Sequence, residues 1–80
     1  MITNEGAKQL VLDYMENALQ DFEGYDFKSD NISWVEFIDI CREGAHYWME
    51  GNEGVDKVRT VKLTKKDLAE DKEWFERLMA

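Results

Sequence analysis

The chain has no proline, one cysteine and one histidine, and its five glycines are scattered. Each scarcity removes a class of protein. Without proline nothing interrupts a helix from within, so long continuous helices are favoured. A lone cysteine, Cys41, excludes an internal disulfide, and an intracellular, reducing compartment follows as the expectation. One cysteine and one histidine cannot make a zinc tetrad, and no Asp/Asn/Gly series has the spacing of a calcium loop. Cys41 and His46 are five residues apart, about 140° round a helix, so they cannot act as a nucleophile and base within one helix. Glycines at positions 6, 24, 44, 51 and 54 lack the spacing of a phosphate-cradling loop. The chain therefore reads as non-enzymatic, with no cofactor and no metal.

Long apolar runs are missing as well. The longest aliphatic stretch is Leu10 to Leu12, far short of a membrane span. Met1 to Leu12 lacks the basic start and apolar centre of a signal peptide. A soluble, cytoplasmic protein is expected.

The 80 residues suffice for one small domain, and three Trp, three Tyr and four Phe supply large areas to bury without staples. The organising stretch is Ser33 to Met49. On helical spacing Trp34, Phe37, Ile38, Cys41, Ala45, Trp48 and Met49 share a face, and Ile40 and Tyr47 widen it. Ser33 and Glu36 form a capping box, Ile32 can staple onto Phe37, and Gly51 stands where a left-handed C-terminal cap belongs. Ala7, Leu10, Val11, Tyr14, Met15, Ala18, Leu19 and Phe22 give an earlier helix over residues 4–23, capped by Thr3 or Asn4 and ended by Gly24. Thr64 and Asp67 start a third over residues 65–79, with Leu68, Phe75, Leu78 and Met79 inward and Trp74 at the margin. Asp71 falls inside that stripe. It either pairs with Arg59 or Lys62 or lies partly exposed at the margin.

Between these helices lie a loop over residues 24–32, in which Tyr25 and Phe27 plug the end of the core, and a turn over 51–54. Residues 55–63 carry a short β-propensity run, Val58 to Leu63, read as extended chain or a strand near 57–62. The expected fold is mainly α: a compact three-helix domain with helix 33–50 central. Its alternative is an α+β form with a two-stranded ribbon pairing residues 25–28 with 57–62. Replacing Trp48 by Ala is expected to remove about 3–5 kcal/mol from such a core.

Charge is the strongest functional signal. The formal net charge is −8, and it is uneven: residues 1–54 hold 12 acids against 3 bases, whereas residues 55–80 hold 6 against 7. Such a chain repels nucleic acid and anionic lipid and attracts basic protein surfaces. Lys57, Arg59, Lys62, Lys65 and Lys66 read as a complement to the acidic helices rather than as a nucleic-acid surface, because few aromatics accompany them. Asp13, Glu16 and Asp21 on the first helix, and Glu36, Asp39, Glu43 and Glu50 on the second, place carboxylates about one turn apart, a spacing similar to that of phosphates along a DNA strand. With Tyr47 as a neighbouring apolar contact, these are the candidate partner-binding residues.

In size, acidity and lack of catalytic groups the chain is similar to the small inhibitors carried by phages and other mobile elements, among them anti-restriction and anti-CRISPR proteins, some of which mimic DNA. The likeness is one of composition. It implies a cytoplasmic inhibitor or adaptor that blocks a basic, nucleic-acid-binding protein surface without touching nucleic acid or membrane itself. The alternative is a homodimeric structural or regulatory helical module whose acidity serves only solubility.

Overall fold

A computed structural model describes residues 2–49 and 56–80. The described chain is mainly α, with no strand: α1 (Asn4–Gln20), a 3-10 turn (Phe22–Gly24), α2 (Trp34–Trp48), α3 (Lys57–Thr60) and α4 (Lys65–Met79). The helix starts are local and lie where the capping residues stand. The Thr3 hydroxyl accepts the Gly6 N–H at 3.0 Å. Ser33 and Glu36 form both halves of a capping box, and so do Thr64 and Asp67, each pairing two backbone donors that a helix start otherwise leaves open.

α4 ends at Met79 as expected, whereas α1 and α2 end earlier than expected. α1 stops at Gln20, and Asp21 and the tighter 3-10 turn carry the chain to Gly24. That turn swings Phe22 back into the core, where it meets Phe27, Phe37 and Phe75 at ring-centroid distances of 5.3, 6.4 and 6.0 Å. α2 ends at Trp48 with Met49 as its cap. Glu50, the Gly51 cap and the turn over 51–54 lie outside the described residues. In the loop that follows the 3-10 turn, Phe27 is buried and Tyr25 stacks flat on it at 4.7 Å. Asn31, at φ 52°, lets that loop reverse, a conformation asparagine tolerates better than most residues.

No ribbon is found among the described residues, and the segment expected to be extended is so only after Thr60, where Val61 has φ −58° and ψ 135°. Residues 57–60 form a helical turn, held by Arg59 N–H to Asp56 O at 3.1 Å and Val61 N–H to Lys57 O at 2.7 Å. Val58 and Val61 are both buried, and their three-residue spacing puts both on the inner side of a turn, where strict alternation would not. The β-preference of the run is overridden by the chance to bury two valines against helices already in place. Residues 25–28, the other half of the supposed ribbon, lead into local turns instead: Asp26 O accepts Asp30 N–H at 2.8 Å, Phe27 O accepts Ile32 N–H at 3.2 Å and Lys28 O accepts Asn31 N–H at 3.1 Å.

Every fully buried residue among those described is apolar. α1 contributes Ala7, Val11, Met15, Ala18 and Leu19, and α2 contributes Phe37, Cys41 and Ala45. The two helices are antiparallel, since Tyr14 meets the C-terminal end of α2 while Phe22 meets Phe37 near its start. α4 runs alongside α1 in the same direction: Lys8 reaches Asp67 at 3.2 Å and Phe22 meets Phe75. α2 shares the centre with α1. It reaches α4 through rings, Trp34 and Phe37 both packing on Phe75, at 5.4 and 4.8 Å. Trp48 is not a core residue. It is 50% exposed, so the large cost expected of its removal belongs to Phe37 instead.

Candidate functional site

The carboxylates singled out in the sequence are exposed wherever they are described, but they do not make one continuous surface. On α2, Glu36, Asp39 and Glu43 point outward on successive turns. Glu36 is partly engaged, because its carboxylate accepts the Ser33 N–H at 3.3 Å. Glu43 is paired with Arg59 of α3. The same guanidinium lies 3.5 Å from His46 Nδ1, and His46 Nε2 is 3.6 Å from Asp56. Asp39 has no cation within 4 Å among the described residues. Glu50 falls outside them.

The α1 acids point three ways. Asp13 accepts the Gln9 side-chain amide at 2.8 Å on the outer side. Asp21 stands at the C-terminal cap of the helix. Glu16 lines a groove between α1 and α4, together with Glu70 and Asp71. The cationic run is also divided. Lys57 donates to the Ile2 carbonyl at 2.9 Å and Arg59 pairs with Glu43. Lys65 lies in the groove between α2 and α4, and Lys66 in that between α1 and α4.

Asp71 occupies the margin, partly buried, and neither Arg59 nor Lys62 pairs with it among the described contacts. Burial, with smaller pushes from Glu16 and Glu70, raises its pKa above the ordinary 3.8. Asp67, one turn earlier, is held below 3.8, chiefly by the Thr64 backbone N–H and by Lys8. The two therefore act oppositely on stability. Asp67 supports the fold above its ordinary value, and that support is lost as pH falls through its lowered value. Asp71 weakens the fold when charged, and the penalty is relieved as pH falls through its raised value, vanishing once the unfolded chain is protonated too. Asp71→Asn is expected to raise the urea midpoint at pH 7. Its advantage over wild type should shrink towards zero near pH ~3, below the ordinary aspartate range, as urea titrations at a series of pH values will show.

Sequence spacing placed Tyr14 and Trp48 with the core, and the arrangement they make at the surface was missed. Gly44 lacks a side chain where the Tyr14 ring lies against α2; a Cβ there would overlap the ring. Tyr14 then meets Trp48 edge-on at 4.9 Å. Burial, with Tyr25 beside it, pushes the Tyr14 phenol up to about 12. Beyond this pair Tyr47 is 66% exposed. The last turn of α2 thus carries two large rings facing water, next to the end of its carboxylate row. The one available signal was Gly44 itself, since a glycine inside a strong helical pattern marks a close approach.

Cys41 is fully buried and its thiol is pushed up to about 12, mainly by burial, which leaves it a packing residue. Among the described residues no three His, Cys, Asp or Glu side chains converge to hold a metal ion, and no helix is long and apolar enough to cross a membrane. No family model, curated protein or solved structure matches this chain.

Proposed function

We propose that the chain is a non-enzymatic, cytoplasmic protein-binding inhibitor or adaptor, which occupies a basic surface that otherwise holds nucleic acid. The observation that carries this reading is the outer face of α2. There the exposed carboxylates of Asp39 and Glu43 run up to Tyr47 and Trp48, 66% and 50% exposed. Carboxylates speed encounter with a cationic groove, and aromatic side chains supply the desolvated anchor that charge alone lacks. An arginine or lysine of the partner can sit over either ring while pairing with a neighbouring acid. Asp13 and Asp21 extend the negative field along α1. In this reading the chain acts as phage-type inhibitors do, standing in for DNA rather than binding it.

The variant that tests the reading must spare the internal pair. Reversing Glu43 would set a lysine against Arg59, so Asp13→Lys combined with Asp39→Lys is the cleaner change. Affinity capture with wild type is expected to retain one basic, nucleic-acid-handling protein at low salt and to lose it at high salt. The double variant is expected to retain little of it while keeping the wild-type circular dichroism spectrum. Equal retention by both proteins would overturn the reading. The exposure of Tyr47, Trp48 and Val35 also suits a second reading, a homodimeric module joined through these apolar side chains. Light scattering decides that one, because a monomer at high micromolar concentration removes it.

A further inference from the structure

A second surface has the opposite electrostatic sign. Between α2 and α4 runs an open groove of about 600 Å³, floored by Trp34, Ile38, Leu63 and Leu68 and edged by Val35. Among the described residues its charged lining is Lys65 and Lys72 alone, in a chain whose 18 acids outnumber its 10 bases. Val35 is 67% exposed, an apolar side chain left facing water at the groove edge. Among the described residues Lys72 pairs with Glu76 alone, on its own helix at 4.0 Å, an exposed contact that is worth little and easily exchanged.

We propose that this groove docks an acidic amphipathic helix of a protein partner. Lys65 and Lys72 are two turns apart on one side of α4, about 10.5 Å along its axis. A helix laid beside α4 matches them with acids seven residues apart, while its apolar residues at intervening three- and four-residue steps fill the floor. Asp39 stands one turn beyond Val35 and repels acids from the α2 edge, so the partner's carboxylates lie over α4. A small amphiphile fits less well, since ligand pockets enclose most of the ligand and this groove leaves Val35 largely in water. A symmetric pair of this chain joined groove to groove would bring four lysines together. The proposal goes beyond the acidic-face reading: the chain would bridge a basic surface on one flank of α2 and an acidic helix on another.

The test titrates isotope-labelled full chain with three probes, followed by amide chemical shifts. The probes are a synthetic helical peptide with leucines on one face and glutamates seven residues apart beside it, the same peptide with lysine for each glutamate, and dodecanoate. The acidic peptide is expected to shift the amides of Val35, Ile38, Leu68 and Lys72 saturably and in preference to the other two probes. Lys65→Glu with Lys72→Glu is expected to weaken it tenfold or more, about 1.4 kcal/mol or above, and to turn the preference towards the lysine peptide. Val35→Glu is expected to block docking with shifts elsewhere unchanged; should it fail to fold, the lysine reversal carries the test. Absence of saturable groove shifts with the acidic peptide overturns the proposal. So does equal binding of the lysine peptide, saturation by dodecanoate alone, or groove shifts that appear on concentrating the protein by itself.

Discussion

Phe37→Ala is expected to remove about 3–5 kcal/mol of stability, a large share of what a chain of this size has. Phe37 is the largest fully buried side chain. It touches the rings of Phe22, Phe27, Trp34 and Phe75, so it joins α2 to the 3-10 turn, to the following loop and to α4 at once. Truncation removes the transfer energy of the ring and opens a cavity, and aromatic neighbours on several sides cannot all move in to fill it. A chain of 80 residues has about 4–12 kcal/mol in total by the usual per-residue range. Urea titration reads the change as a lowered midpoint at unchanged slope. A midpoint within error of wild type would remove the aromatic cluster as the centre of the fold.

Gly44→Ala is the second large effect, and its sign depends on Tyr14. In an ordinary helix interior the exchange gains roughly 0.8–1 kcal/mol from propensity. Here the added methyl overlaps the Tyr14 ring, which must swing away and give up its edge-on contact with Trp48. Overpacking of this kind costs about 1–3 kcal/mol, so the single variant is expected to be less stable than wild type. In a Tyr14→Ala background the obstacle is gone, and Gly44→Ala is expected to stabilise. The double-mutant cycle in urea measures that coupling. Additive effects would mean that the ring does not lie on α2 as described.

What the sequence disclosed was what is local. Both capping boxes are contained in four consecutive residues, so Ser33/Glu36 and Thr64/Asp67 could be read without knowing the fold. Periodicity gave the facing of each helix but not its depth of burial. Trp48 has the right facing for the core and yet lies half exposed, because it belongs to the last turn of α2, next to the surface ring of Tyr14. Residues 57–62 misled because valine and threonine report a preference for extended chain that burial of Val58 and Val61 outweighs. The exposure of the carboxylates was legible, since an unpaired charge is costly to bury. Their partners were not: Glu43 to Arg59 and Lys8 to Asp67 join separate helices, and no spacing rule reaches across them. The α1 and α2 acids were therefore grouped as one site, although Glu16 belongs with α4.

If the outer face of α2 stands in for nucleic acid on a basic partner, as proposed, the protein displaces an oligonucleotide from that partner. The captured partner is loaded with a labelled oligonucleotide, and fluorescence anisotropy is followed as this protein is added. Wild type is expected to release the oligonucleotide stoichiometrically at low salt, with weaker release as salt rises. The Asp13→Lys/Asp39→Lys variant is expected to need at least about tenfold more protein, a loss of about 1.4 kcal/mol. Simultaneous binding of protein and oligonucleotide, or equal release by the variant, would contradict the claim.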